Sequence, residues 1–299
     1  MAEMKEYIHK AEILIEALPY IREFTGKTVV VKYGGAAMRD EERMESFAED
    51  IVLLQHVGIR PVVVHGGGPQ IDRMLERLKI PTERKEGLRV TSPEAMEVVE
   101  MVLGGTVNKQ ITGFINRFGG KAAGLCGKDG GLIRARRIRA KSRATGELID
   151  LGLVGEVVRV EPGILRALEA DGFVPVIAPI GVGELSEAYN INGDTAAAEV
   201  AAAVEAEKFI LLTDVPGVLD GEGKRISTMT GEDAEEMIRN GKITGGMIPK
   251  VECGLTALRK GVRKVHVIDG RIPHSVLLEI FTDAGVGTEI VREKGEVEA

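Results

Sequence analysis

The sequence predicts an α/β fold, a mainly parallel sheet with helices on both faces. Three observations carry this. The short β-branched runs 28–33, 61–65, 173–178, 208–213 and 264–268 are near-continuous in apolar residues, as strands buried on both faces are. Each is followed by a segment of helical length, the alternation that βαβ units produce. The chain has 299 residues, enough for about two domains or one large unit with a sizeable core. Binding sites in such sheets lie beyond the strand C-termini.

Ahead of the first strand, Met4, Ile8, Ala11, Ile15 and Leu18 recur at helical spacing with charges between them, which predicts an amphipathic helix in need of a partner. Pro19 lacks an amide proton and should kink or end that helix before residues 20–24. The pattern changes over 122–160, where 133–141 and 154–160 read as shorter alternating strands with no long helix between them, an antiparallel excursion. A Gly-rich stretch over 181–190 then precedes an Ala-rich helix over 195–206. The expected organisation is an N-terminal oligomerisation helix (1–26), an N-terminal lobe (27–185) and a C-terminal lobe (186–299), the two lobes sharing one sheet.

Composition narrows the function. Lys plus Arg total 39 against 46 acidic residues, and the net charge of −7 argues against a general binder of nucleic acid or anionic membrane. Arg134, Arg136, Arg137, Arg139, Lys141 and Arg143 form a local basic cluster that could take RNA or phosphate. No aromatic residues interleave for base stacking, so a solvated hairpin face is the favoured reading. The apolar run 173–183 has 11 uncharged residues and two prolines, short of the ~20 that span a bilayer. Charges at Glu3, Lys5, Glu6 and Lys10 interrupt any signal-peptide core, which leaves a cytoplasmic location as the expectation. Cys126 and Cys253 stand far apart without a nearby His pair and read as inert thiols.

Glycine, 38 of 299 residues, stands at roughly twice its ~7% average, and several glycines cluster at the predicted strand ends. Lys32-Tyr33-Gly34-Gly35 sets an ammonium beside exposable backbone N–H groups, which suits a phosphate, though alone it fits a glycine turn with a surface lysine equally well. A P-loop is excluded, because Gly26-Lys27-Thr28 precedes its strand and Ile21 stands where the first glycine is required. Gly66, Gly67 and Gly68 follow His65 and precede a helix over 70–79; three glycines allow close backbone approach to an anion. His65 itself reads as a packed strand-end side chain, with no carboxylate beside it. Gly87-Leu88-Arg89 offers a guanidinium able to bind a carboxylate bidentately, and Ser92-Pro93-Glu94 starts a helix. Asn190, Asn192 and Asp194 fall at i, i+2 and i+4 on one side of an extended segment, with Asp194 as the expected helix cap. Thr213-Asp214 runs into a tight turn at Pro216-Gly217, and Gly245-Gly246 precedes a helix carrying Lys250 that runs to about residue 260.

Together, in this order, these motifs resemble the amino acid kinase family over nearly the whole chain, and within it the branch that phosphorylates N-acetyl-L-glutamate. The resemblance implies a three-layer αβα sandwich whose N-terminal lobe binds the amino acid and whose C-terminal lobe binds ATP. It implies phosphorylation of the γ-carboxylate of N-acetyl-L-glutamate, the second step of arginine biosynthesis. Lys32 and Lys250 would flank the moving phosphoryl group and Asp194 would orient both; Arg89, Asn190, Asn192 and Gly66 to Gly68 would hold the amino acid. Gly34, Gly35, Thr213, Asp214, Gly217 and Lys250 would contact the nucleotide, which brings Mg²⁺ with it rather than through a protein-only metal site. A carboxylate with a pKa near ~4.3 is already ionised at neutral pH, so no base is needed and charge neutralisation suffices. The N-terminal helix resembles that of hexameric, arginine-inhibited members, trimers of dimers, with L-arginine bound near Tyr20, His266 and Glu279. The rival readings are a kinase of the same family acting on carrier-bound glutamate or aminoadipate, carbamate or aspartate, and a non-catalytic amino-acid sensor; the presence of both lysines disfavours the sensor.

Overall fold

The computed structural model describes residues 2–38, 40–141, 146–283 and 285–293. Among these residues the organising element is an eight-stranded sheet. In chain order its strands are β1 (Thr28–Tyr33), β2 (Arg60–His65), β3 (Ala122–Cys126), β4 (Val174–Ala178), β5 (Lys208–Thr213), β6 (Thr228–Thr230), β7 (Lys264–Asp269) and β8 (Thr288–Val291). Across the sheet they run β6-β8-β7-β5-β1-β2-β4-β3. Every neighbouring pair is parallel except β7 with β8. Residues 27–185 thus supply four adjacent strands and residues 186–299 the other four, and the halves meet where β1 pairs with β5.

Strand β1 shows how the layers arise. Val29, Val31 and Tyr33 face one side of the sheet, where the helix Glu41–His56 lies and the Phe47 ring stacks on Tyr33 with centroids 3.8 Å apart. Val30 faces the other side, against the helix Gly193–Ala203, whose Ala196, Ala197 and Ala201 allow close approach. Burial on both faces is why the strand reads as continuous, and each buried Val contributes about 1.5–3 kcal/mol. Lys32 shares the Val30 side. It therefore reaches the sheet's C-terminal edge beside the first turn of Gly193–Ala203.

The N-terminal segment forms two helices, Ala2–Glu16 and Leu18–Phe24, broken at Ala17, with Pro19 in the first turn of the second, where its missing N–H costs nothing. Met4, Ile8, Leu14 and Ile15 on the first helix are exposed, and Phe24 is buried. No helix of the described residues is long and apolar enough to cross a membrane.

Four local expectations are corrected. Ala122–Cys126 joins the parallel sheet at its edge instead of opening the excursion, because Val174 to Ala178 offer a parallel partner. The excursion keeps its expected antiparallel pair, Ile133–Arg137 with Gly155–Val160, but the first strand ends at Arg137 rather than residue 141, and the pair belongs to a separate four-stranded sheet in which Ile133–Arg137 also pairs parallel with Ile180–Val182. No helix follows β4 directly; the chain first makes the strands Ile180–Val182 and Ala188–Asn190 of that sheet. The cap of Gly193–Ala203 is Asn192, whose side chain accepts from the N–H groups of Asp194 and Thr195, so Asp194 sits inside the first turn with its carboxylate free for other partners. In the basic cluster, Arg136 pairs with Glu156 and Arg137 with Asp150, while Arg143 and the Lys141 side chain lie outside the described residues.

Candidate active site

Asp194 is the meeting point. Its Oδ1 lies 2.8 Å from Lys32 Nζ, an ion pair outside good hydrogen-bond angles, and its Oδ2 accepts a hydrogen bond from Lys250 Nζ at 3.0 Å. The three elements are β1, the start of Gly193–Ala203 and the start of the helix Met247–Arg259. Side-chain exposures of 10% for Lys32, 12% for Asp194 and 20% for Lys250 take this triad out of the class of screened surface ion pairs. Burial alone would raise the Asp194 pKa, but the two ammonium groups outweigh it and hold it at about 2.

Two cavities adjoin the triad. One, of about 170 Å³, is lined by Lys32, Asp194, Arg89, Asn190, Asn192 and the Gly66 to Gly68 backbone. A Cβ on Gly67, which lines this cavity, would lie 2.4 Å from Leu103 Cδ2, and one on Gly34 would lie 3.1 Å from Lys32 Nζ, so Gly34 keeps backbone close to the lysine. The second cavity, of about 640 Å³, is lined by Thr213, Asp214, Gly217, Gly246 and Lys250. Gly217 has φ +140°, and a Cβ there would meet Thr288 Oγ1 at 2.6 Å, so the loop after β5 can turn tightly against β8. Gly34 and Gly35 line neither cavity; Gly35 starts the 3₁₀ turn Gly35–Met38 with φ +63°.

Arg89 is buried and its guanidinium is already engaged: Nη1 donates to Asp72 Oδ1 at 2.5 Å and to Thr82 Oγ1, and Nη2 donates to the Gly68 carbonyl at 3.1 Å. Arg84 donates to the other Asp72 oxygen at 3.0 Å. Burial opposes ionisation of Asp72, yet these two arginines hold its carboxyl below the usual range. Sequence reading missed Asp72, which lies on the helix Gly68–Leu78 with nothing in its neighbours to mark it. It also missed Asn108, fully buried beneath β2 and β4.

Tyr20, His266 and Glu279 lie outside both cavities. Tyr20 hydrogen-bonds Asp283; His266 Nδ1 donates to Glu279 Oε1 at 2.6 Å, and Lys208 Nζ donates to His266 Nε2 at 3.3 Å. Lys208 in turn sits over the Phe24 ring, 4.8 Å from its centroid, so the second N-terminal helix reaches the His266 and Glu279 pair. Burial and the Lys208 charge lower the His266 pKa.

Residues 27–269 match the amino acid kinase family. An acetylglutamate kinase from Syntrophobacter fumaroxidans is 58% identical over 290 residues, covering 95% of this chain and 97% of that protein. Another from Geotalea uraniireducens is 56% identical, covering 96% and 100%. Among solved structures, N-acetylglutamate synthase from Neisseria gonorrhoeae with coenzyme A and N-acetyl-glutamate superposes with a TM-score of 0.84 at 26% identity, over 95% of this chain and 63% of that longer one. The same synthase with coenzyme A and L-arginine gives a TM-score of 0.80 at 25% identity, over 95% and 65%. Together with the lysine–aspartate–lysine triad between two cavities, these similarities mean that the chain belongs to the amino acid kinase family, among its acetylglutamate kinases.

Proposed function

We propose that the chain transfers the γ-phosphoryl group of ATP to the γ-carboxylate of N-acetyl-L-glutamate, giving N-acetyl-L-glutamyl 5-phosphate and ADP, the second step of arginine biosynthesis. The observation that carries this reading is the shared carboxylate: Asp194 holds Lys32 in the lining of one cavity and Lys250 in the lining of the other. A carboxylate oxygen attacks the γ-phosphorus while the bond to the bridging oxygen breaks and its electron pair leaves with ADP. No proton has to move, since the attacking carboxylate is ionised at neutral pH. The two ammonium groups meet the charge that spreads over the transferring oxygens, the term that dominates phosphoryl transfer. Arg89, Asn190, Asn192 and the Gly66 to Gly68 backbone hold the amino acid; Thr213, Asp214, Gly217 and Lys250 contact the nucleotide, and Gly34 and Gly35, which follow Lys32 outside both cavities, are assigned to its phosphates.

Mg²⁺ would arrive on the nucleotide phosphates and neutralise part of their charge. We propose that the reaction takes place in the cytoplasm. We further propose that L-arginine inhibits the enzyme by binding where the second N-terminal helix meets His266 and Glu279, supported by the Phe24–Lys208–His266 contacts. The exposed apolar residues of Ala2–Glu16 support pairing with the same helix of another subunit, joining dimers into a hexamer.

The deciding experiment is an ADP-release assay with Mg-ATP across N-acetylglutamate, glutamate, aspartate and carbamate. Turnover of N-acetylglutamate with little use of free glutamate is expected; equal turnover of both defeats the substrate assignment and reopens the rival kinases.

A further inference from the structure

His65, the last residue of β2, is fully buried and faces the side of the sheet opposite Lys32, where the helix Asn108–Arg117 begins. Its Nδ1 lies 2.8 Å from the carbonyl oxygen of Gly66. A carbonyl only accepts, so Nδ1 carries the proton. The other ring nitrogen leads to the same tautomer independently. Asn108 Oδ1 accepts from the Lys109 ammonium at 3.1 Å, and Asn108 Nδ2 meets the carbonyls of Val176 at 2.8 Å and Leu125 at 3.2 Å. The amide is thereby oriented with its nitrogen toward His65 Nε2, 3.1 Å away; its two hydrogens are shared among three acceptors, and because an amide nitrogen cannot accept, Nε2 carries no proton. The chain makes room for this amide: a Cβ on Gly124 would lie 1.9 Å from Asn108 Oδ1.

Three successive glycines have no side chains to fix their peptide planes. Here the peptide planes on either side of Gly66 are each held by one hydrogen bond. The Gly66 N–H donates to the Tyr33 carbonyl at 2.7 Å, and the Gly66 carbonyl accepts from His65. Since the peptides are trans, the Gly67 N–H points opposite to the Gly66 carbonyl and so away from His65, and Gly67 lines the cavity that Lys32 also lines.

We infer that His65 and Asn108 are positioning residues: as the neutral Nδ1–H tautomer set by Asn108, His65 orients the Gly66–Gly67 peptide so that the Gly67 N–H faces the anionic end of the bound amino acid. This rests on the proposed reading of that cavity. A donor held in place before substrate arrives loses nothing to reorganisation when charge moves.

The test compares His65→Asn, whose side-chain amide can still donate near the Nδ1 position, with His65→Leu, which cannot. Alongside kcat and KM for N-acetylglutamate, ring-nitrogen NMR of the wild-type protein is read without substrate. Expected are an Nδ1–H tautomer for His65 that persists from pH 8 to pH 5.5, a fall in kcat/KM of about 100-fold for His65→Leu, and recovery to within about tenfold of wild type for His65→Asn. An Nε2–H or charged ring overturns the inference, as does equal loss in two folded variants. If His65→Leu does not fold, the tautomer and the His65→Asn activity decide. An inactive wild type refutes the proposed function instead, and the NMR result still decides the clamp.

Discussion

Replacing Asp194 by Asn removes the charge that both site lysines share while nearly keeping the shape. At 2.8 and 3.0 Å and an effective dielectric constant of about 20, each pair is worth about 5.5–6 kcal/mol before the cost of burying the charges. What survives desolvation is reported by the Asp194 pKa, which falls from its ordinary 3.8 to about 2. That difference corresponds to about 2 kcal/mol of folding stability, present above the unfolded pKa and lost as pH falls through the folded one. The wild type should therefore exceed Asp194→Asn by about 2 kcal/mol at pH 7, and the gap should shrink to about half by pH 3. Urea denaturation of both proteins at pH 7, 5 and 3 measures the gap, and ADP release should show kcat lowered about 10²–10³-fold as the lysines lose their anchor. A stability gap independent of pH, or a kcat within threefold of wild type, would refute the electrostatic account of the triad.

Lys32→Ala and Lys250→Ala should each lower kcat strongly with little change in KM; a kcat within a factor of ~3 of wild type, under one kcal/mol of barrier, would mean that the reacting groups lie elsewhere. Arg89→Lys should mainly raise KM for the amino acid, because a point charge cannot keep the bonds to Asp72, Thr82 and the Gly68 carbonyl and still present a fork; an unchanged KM with a lowered kcat would contradict this. Deleting the residues before Gly26 removes Phe24 from Lys208 along with the exposed helix, so light scattering should report a dimer and arginine inhibition should weaken while kinase activity persists. A truncated protein that stayed hexameric or fully arginine-sensitive would sink the regulatory proposal.

The strands of the central sheet were legible because burial on both faces leaves an unbroken apolar run, and the glycine clusters at their ends were legible because glycine is costly wherever it is not needed. Lys32, Gly66 to Gly68 and Asp194 stood out by residue type and place in the chain, yet Lys32 fitted a surface lysine as well and Asp194 read as a helix cap until the family resemblance joined them. What joins them did not. Ala122–Cys126 is a sheet-edge strand only because β4 lies beside it. Asn192 rather than Asp194 caps the helix, a choice made by backbone geometry at one residue. Asp72 reaches Arg89 across 17 residues, and Asn108 reaches His65 across 43. Such pairs leave no periodic trace, since each partner follows the local pattern of its own helix or strand. The sequence alone determined which residue types stand at the strand ends, because turn geometry and burial act over a few neighbours; only the tertiary structure decided which of those ends share a carboxylate, because that depends on strand order and on which face of the sheet each side chain takes.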